Sequence, residues 1–205
     1  MSKKSMIDFR ALPVSEGDRN RLGQSIRVQS FKRGTTIFNS GEVCTDIYLI
    51  RSGLVKLGYC TRDGKELIKS FIAEGEIFGS LYSQLTGKGA TYSAVALEDV
   101  EVDMLSYSVL EVLCKNNPEL QNLLLSFFQQ LALSKEIREY EFLCLSAQDR
   151  YQSFCDQNPD LVTRIKQADL ALYLGITPVA LSRLKHREAR SFKVGDNSLN
   201  EHGLD

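Results

Sequence analysis

Residues 167–184 read QADLALYLGITPVALSRL and carry the most informative pattern in the chain. Leu170 and Leu174 are four residues apart, as on one face of a short helix, and Leu181 and Leu184 are three apart, as on the next. Gly175 stands between the two pairs, where a helix can end in the left-handed conformation that glycine adopts without steric penalty. The spacing predicts two short helices joined by a glycine turn.

The residues after the turn suit the start of a second helix. Thr177 offers a hydroxyl as a cap, and Pro178 falls in the first turn, where its missing N–H has no consequence. Ala171 is small, as needed where two helices cross closely. We therefore predict a helix-turn-helix, whose second helix, at about Pro178 to Arg187, enters the DNA major groove. An ordinary helical hairpin within a core is the alternative.

The charge distribution favours nucleic acid as the partner of this end of the chain. Between Arg164 and Lys193 there are seven basic and two acidic residues, a net charge of +5, whereas the whole chain carries −1. A basic end on an otherwise acidic protein is typical of phosphate binding.

Length and composition limit the other classes of protein. The chain has 205 residues, 43% hydrophobic and 25% charged, as in an ordinary globular protein of one large or two small domains. No apolar run approaches the roughly 20 residues that span a bilayer, and no apolar segment follows the basic start. We therefore expect no membrane association and a cytoplasmic location.

The five cysteines argue against both a zinc site and a disulfide framework, because they are scattered, odd in number and form no Cys-x-x-Cys pair. Reduced, half-buried thiols are the simplest interpretation, and one redox-sensing thiol is the alternative.

Residues 1–115 have the sequence pattern of a β-rich domain. A short helix is predicted at 15–23, capped by Ser15, and from about Ser25 to Leu105 short β-rich runs alternate with glycines at spacings near ten residues. Such spacing favours an antiparallel sandwich or barrel. Arg-Asp-Gly at 62–64 suits a hairpin turn.

Residues 116–146 are predicted to form one long helix. After a helix from Tyr107 to Cys114, Pro118 opens a helix that runs to about Leu145, roughly 42 Å at 1.5 Å per residue. Its apolar stripe comprises Leu120, Leu124, Phe127 and Leu131, widened by Leu123 and Phe128. We interpret it as a dimerisation helix, with a long core helix as the alternative, and assign residues 147–205 to the DNA-binding domain.

In this order of elements the chain resembles the Crp/Fnr family of bacterial transcription regulators. The resemblance covers about Ile26 to His186 and is most specific in KRGTTIFNSGEVCTDIYLIRSGLVKL at 32–57 and in ITPVALSR at 176–183. It implies an α+β protein with an N-terminal jelly-roll (double-stranded β-helix) of the cyclic nucleotide-binding type, a long dimerisation helix and a C-terminal winged-helix-like helix-turn-helix domain. It also implies a homodimer on double-stranded DNA, with RNA polymerase as a further candidate partner.

The family's phosphate-binding cassette aligns without gaps on residues 75–96, GEIFGSLYSQLTGKGATYSAVA. The family's Gly-Glu-Leu reads Gly79-Ser80-Leu81 here, so the carboxylate for the ribose is absent. The family's arginine, which pairs with the cyclic phosphate, is replaced by alanine in Ala90-Thr91 of this chain. Lys135 and Glu136 stand where the family's small hydroxyl residues meet adenine. Since a guanidinium–phosphate pair contributes about 1.5–3 kcal/mol, we expect this degenerate pocket not to respond to cyclic AMP.

The resemblance also assigns the residues of the DNA interface. Base edges would be met by Thr177, Pro178, Val179 and Arg183, with Arg183 the best candidate because a guanidinium bridges O6 and N7 of guanine. The same helix carries Ser182, and Lys185, His186, Arg187 and Arg190 would meet phosphates. Residues 187–205 offer one short strand at most, so we expect a reduced wing and a loose tail.

The sequence does not offer the residues that iron–sulfur, haem, metal-dependent or catalytic sites require. The first cysteine, Cys44, lies inside the predicted roll, which excludes the family's iron–sulfur branch, and both histidines, His186 and His202, lie beyond it, which argues against haem and metal-dependent cupin enzymes. No nucleophile–base pair or phosphate-cradling loop is present. We therefore expect that the protein is not an enzyme and has neither a cofactor nor a metal. The sequence identifies no effector. A sensor with an altered pocket and an interaction module that no longer binds DNA remain alternatives.

Overall fold

The computed structural model describes residues 8–197, with side chains to residue 187. The chain divides into two compact units, Met1–Glu139 and Tyr140–Asp205. The first contains a 3-10 turn (Phe9–Ala11), α1 (Glu16–Ser25), β1 (Arg27–Phe31), β2 (Thr36–Phe38), β3 (Asp46–Ser52), β4 (Val55–Cys60), β5 (Glu66–Ile72), β6 (Ile77–Phe78), α2 (Leu81–Thr86), β7 (Ser93–Ala96), β8 (Val100–Ser106) and α3 (Tyr107–Cys114). The long helix α4 (Pro118–Cys144) ends in the second unit, which continues with α5 (Ala147–Gln157), α6 (Pro159–Arg164), α7 (Gln167–Leu174) and α8 (Pro178–Asn197).

The first unit is a jelly-roll of two antiparallel four-stranded sheets. Their strand orders are β1-β8-β3-β6 and β2-β7-β4-β5. The predicted hairpin at 62–64 joins β4 to β5, and Gly64 takes the positive φ of 81° that the turn requires. The α+β fold implied by the resemblance is confirmed, and the helix predicted at 15–23 is present at Glu16–Ser25, where the Ser15 hydroxyl accepts from the Asp18 N–H.

Period-two alternation divides the apolar side chains between two cores. In β3, Tyr48 and Ile50 point into the space between the sheets, whereas Leu49 faces the outer layer of helices. In β8, Val102 points between the sheets and Leu105 faces the outer layer of helices. The outer core also receives Leu12 and Leu22 from the N-terminal segment, Leu110 and Leu113 from α3, and Leu120 from α4, with Leu123, Leu124 and Phe127 packed against it.

One charged group is buried on that outer face. Asp103 of β8 is 1% exposed and accepts hydrogen bonds from Arg10 Nη1 at 2.5 Å and Arg51 Nε at 2.7 Å. Its carboxylate raises the pKa of Arg51 by hydrogen bonding. Arg51 also contacts Asp8 at 3.1 Å, so the ionic group attaches the N-terminal turn to the sheet.

The long helix confirms the element predicted from Pro118 onward but corrects the use of its apolar stripe. Leu120, Leu124 and Phe127 pack on the molecule's own outer core. A second set of large apolar side chains, Leu125, Leu133 and Ile137, lies on another side of α4 and is exposed. The first part of the predicted stripe therefore packs within the monomer, and a different face of the helix is exposed.

The end of the chain corrects one expectation. The helix that begins at Pro178 does not end near Arg187 but continues to Asn197, so residues 188–197 are helical where one short strand was expected. Glu188, Ala189, Arg190 and Lys193 have good helix propensity, which favours this continuation. The predicted loose tail, from residue 198, lies outside the described residues.

Candidate functional site

The turn between α7 and α8 has the geometry that its sequence predicts. Gly175 ends α7 with φ 71° and ψ 30°, and its N–H reaches the carbonyls of Ala171 and Leu172. The Ile176 N–H donates to Ala171 O at 3.0 Å, which completes a glycine-terminated helix end. Leu170, Ala171 and Leu174 are fully buried, so the first helix is held by its inner face.

A side chain at position 175 would also crowd a neighbouring ring. A Cβ built there would lie 2.7 Å from the ring of Phe142 in α4, well inside ordinary contact distance. Arg150 of α5 secures the same corner, because its guanidinium donates to Leu174 O at 3.1 and 3.2 Å and to Leu145 O at 2.7 Å. Arg150 thus provides hydrogen-bond donors for the last carbonyl of α7, which has no partner within the helix. Neither residue was identified from the sequence, since both come from outside the helix-turn-helix segment.

The second helix begins as predicted. The Ala180 N–H donates to Thr177 Oγ1 at 3.1 Å, so Thr177 is a helix cap, and Pro178 is the first helical residue. Leu181 is fully buried and anchors α8 against α7.

The outer face of α8 carries most of the predicted DNA-contacting residues. Val179, Ser182, Arg183 and His186 follow at i, i+3, i+4 and i+7, so they share one side of the helix, and all four are exposed, Val179 by 62%. Pro178 and Arg187 flank this face and are also exposed. Lys185 is half-buried and lies off the face, towards the side that bears Leu181. The side chain of Arg190 lies outside those described.

The cassette residues are placed by the chain's own packing. Ser80 is 0% exposed, and its hydroxyl accepts from the Ser83 N–H at 3.2 Å to cap α2, which begins at Leu81. Ser83 in turn accepts from the Cys44 N–H at 2.8 Å. Ser80, which the resemblance aligns with the family's carboxylate, therefore has a local structural partner and no exposed surface.

The second cassette position is closed by a neighbouring loop. Ala90 is 2% exposed, and its N–H and carbonyl exchange hydrogen bonds with Glu42 O and Gly41 N at 2.7 and 2.8 Å. A Cβ at Gly89 would lie 2.2 Å from Gly41 O, so the two loops touch through their backbones. Thr91 is exposed.

Aromatic rings fill the inside of the roll next to these residues. Tyr48 stacks on Phe78 with ring centroids 4.8 Å apart, and Phe38 lies 5.8 Å from Tyr92. The Tyr92 hydroxyl donates to Gly79 O at 2.5 Å, which ties the ring to the start of the cassette. Burial raises the pKa of both tyrosine hydroxyls, so they stay neutral hydrogen-bond donors.

The structure separates Lys135 from Glu136. Lys135 lies on the side of α4 that interacts with Lys69 of β5, whereas Glu136 lies one residue round the helix and is exposed. Lys69 was not identified from the sequence, because it occupies an ordinary polar position in ELIKSFI. Its Nζ lies 4.2 Å from the centre of the Tyr92 ring.

The cysteines and other metal-binding residue types do not form a site in the described part of the chain. All five cysteines are reduced, and no three histidine, cysteine, aspartate or glutamate side chains among residues 8–187 are grouped to hold a metal. Burial raises the pKa of the Cys44 thiol, which disfavours the reactive thiolate. None of the described helices combines the length and apolarity that a bilayer crossing demands.

Comparison with known proteins agrees with this architecture. Residues 28–117 match the family described as Cyclic nucleotide-binding domain. The Global nitrogen regulator of Synechococcus elongatus is 28% identical over 78% of this chain and 77% of its own length. The Fumarate and nitrate reduction regulatory protein of Vibrio cholerae is 28% identical over 87% of this chain and 75% of its own length.

Solved structures share the fold at lower identity. FixK2 from Bradyrhizobium japonicum superposes with a TM-score of 0.72 at 18% identity, covering 81% of this chain and 85% of its own. The c-di-GMP responsive regulator CLP from Xanthomonas campestris has a TM-score of 0.68 at 19% identity, covering 86% and 93%. The resemblance found in the sequence is confirmed: the chain is similar to Crp/Fnr-type regulators over most of its length, and residues 28–117 match the Cyclic nucleotide-binding domain family.

Proposed function

We propose that this chain is a sequence-specific DNA-binding transcription regulator, not an enzyme, that acts as a homodimer and does not respond to cyclic AMP. The observation that carries the proposal is the outer face of α8, where Val179, Ser182, Arg183 and His186 project together after the turn at Gly175. A helix presented in this way fits the major groove, and its Arg183 suits a guanine.

To test DNA binding, a binding site is selected from random duplexes, and the selected duplex is then titrated with the protein at several salt concentrations. Arg183→Ala should weaken binding by about 1–3 kcal/mol and relax specificity at one base pair. Arg62→Ala, which removes an exposed arginine from the β4–β5 turn, is the charge-matched control and should leave affinity unchanged. Failure to select any site, or binding insensitive to salt, would favour an interaction module that has lost DNA binding.

The exposed face of α4 supports the dimer. Leu125, Leu133 and Ile137 are large apolar side chains with about half of their surface in solvent, arranged along one helix. A second copy of the same helix would bury them in a two-fold contact. Leu133→Glu should give a monomer in sedimentation experiments. Val112→Glu introduces the same charge at an exposed apolar residue of α3 and should leave the dimer intact.

The loss of cyclic AMP response is supported by the burial of both altered cassette positions. Ser80 and Ala90 expose almost no surface, so neither reaches a ligand without displacement of α2 or of the loop at Gly41. Thermal unfolding with millimolar cyclic AMP or cyclic GMP should show no shift. Occupancy at 100 times the Kd would add about 2.7 kcal/mol and several degrees.

A sensor with an altered pocket is the second candidate, because residues 28–117 match the Cyclic nucleotide-binding domain family. One fold relative, CLP, is described as responsive to c-di-GMP. Cyclic di-GMP therefore joins the two mononucleotides in the unfolding experiment. Stabilisation by any of the three would favour this candidate over a regulator without a nucleotide effector.

A further inference from the structure

A cavity of about 310 Å³ lies in the outer layer of helices, between α3 and the beginning of α4. Two of the residues that line it, Leu110 and Leu124, contribute to the outer core. The aromatic rings beside the cassette belong instead to the core between the two sheets. The cavity is therefore separate from the cassette, and its volume is within the range of about 300–1,000 Å³ that is typical of small-ligand pockets.

A wall of mostly apolar side chains lines this cavity. It comes from one face of α3, with Tyr107, Leu110 and Cys114, and from one face of α4, with Leu124 and Phe128. Gln121 joins the two helices at the edge of the cavity, because its Nε2 donates to Cys114 O at 2.6 Å. This hydrogen bond and the burial of Leu110 hold the helices together, so the cavity is present before any ligand binds.

One acidic group lies at the same wall. Glu111 lines the cavity from α3, and no other described residue forms a hydrogen bond or an ion pair with its carboxylate. The pKa of the Tyr107 hydroxyl and the pKa of the Cys114 thiol are both raised, first by burial and then by the negative charge of Glu111. Lys115 also lines the cavity, but its charge contributes to neither change. The wall is thus apolar and carries a negative potential.

This combination is complementary to a cation that carries an apolar body. The body is stabilised when its surface is removed from water, and a cationic group is attracted to a carboxylate more strongly beside a low-dielectric wall than in bulk water. Tyr107 and Phe128 are aromatic, and aromatic rings also attract cations. The same carboxylate would repel an anion of equal size.

We propose that the cavity between α3 and α4 binds a small primary amine with an aromatic body. The ammonium group pairs with Glu111, and the body packs on the apolar wall that the two helices share. The site requires neither the cassette nor the outer face of α8, so amine binding does not depend on the proposed function.

Protection of Cys114 from a thiol reagent tests the proposal, because this thiol lines the cavity and a bound ligand would cover it. The full chain is treated with methyl methanethiosulfonate, and the modification rate of each cysteine is followed by peptide mass spectrometry. Phenethylamine at about 10 mM should slow the modification of Cys114 by about threefold or more, as for a Kd of about 5 mM or less. Cys60, an exposed thiol at the end of β4, should react at an unchanged rate.

Two analogues of similar size separate the contribution of the charge from that of the apolar body. At the same concentration we expect 2-phenylethanol, which is neutral, to protect Cys114 less than phenethylamine, and the anion phenylacetate to give no protection. Glu111→Gln should lower the protection by phenethylamine to that by 2-phenylethanol. Glu119→Gln removes an exposed carboxylate from the first turn of α4, outside the cavity, and should retain the full protection.

A second variant removes part of the wall instead of the charge. Phe128→Ala should weaken the protection by phenethylamine and by 2-phenylethanol alike, because both use the same apolar surface. The proposal would be overturned by equal protection with all three compounds, by protection that is unchanged in Glu111→Gln, or by no protection in the unaltered protein. Equal slowing at Cys60 would also count against it. The measurement contains no DNA, so its result stands whether or not α8 binds DNA.

Discussion

Replacement of Gly175 by alanine tests the turn on which the proposed function depends. The variant must hold a Cβ at φ 71°, which costs about 1–2 kcal/mol for a residue other than glycine. Its Cβ would also lie 2.7 Å from the Phe142 ring, so the ring must retreat by about 0.7 Å to reach ordinary contact. Because Phe142 is 50% exposed and its ring can move, this crowding costs about 1 kcal/mol, the lower end of the range for overpacking. We expect a total loss of about 2–3 kcal/mol.

Gly87 provides the matched control, because it ends α2 with φ 69° and has nothing within 4 Å of a Cβ. Gly87→Ala should cost only the backbone term of about 1–2 kcal/mol. Both variants are compared by guanidinium chloride unfolding, with amide hydrogen exchange to identify which unit loses stability. Phe142→Leu should recover part of the loss in the Gly175→Ala background and none in the Gly87→Ala background. Equal losses for the two glycine variants, or no recovery, would refute the steric argument.

Three further predictions concern charged side chains. Arg150→Met removes the hydrogen bonds to Leu174 O and Leu145 O, so urea unfolding should show a loss of about 2–3 kcal/mol, smaller in Arg150→Lys. Asp103→Asn removes the buried carboxylate that Arg10 and Arg51 share and should cost about 1–3 kcal/mol, whereas Asp99→Asn, in an exposed pair with Lys32, should change stability little. The pKa of Lys69 is about 8 in the folded chain and about 10.5 in the unfolded chain, so the unfolded chain binds more protons between these two pH values. The free energy of unfolding should therefore rise with pH across this window in the unaltered protein relative to Lys69→Met. Below the window, the pH dependence of the two proteins should be the same.

The elements that could be predicted are those whose cause is local. The left-handed residue at Gly175, the cap at Thr177 and the start of α4 at Pro118 each depend on a few neighbouring residues, and all are present. The two-residue strand β6 and the one-and-a-half-turn helix α2 are too short to produce a periodic signal, so they were not predicted. The expected strand after Arg187 followed the resemblance, whereas helix propensity favoured the continuation that is present.

The functional neighbourhoods depend on contacts between distant residues, which periodicity cannot supply. Phe142 and Arg150 precede the helix-turn-helix yet decide the packing of its turn. Lys69 reads as a solvent-facing strand residue until Tyr92 and Lys135 are placed beside it. The alteration of the cassette could be read directly at Ser80 and Ala90, but only the structure shows that both are buried by α2 and by the loop at Gly41.

The two sides of α4 connect these observations. One side packs through Leu120, Leu124 and Phe127 on the roll's outer core, so the helix cannot shift at its start without loss of buried apolar surface. Further along, the contact with the roll is polar and like-charged, at Lys69 and Lys135. The helix is therefore anchored firmly at one end and held weakly beyond it, and that weaker part carries the exposed Leu133 and Ile137.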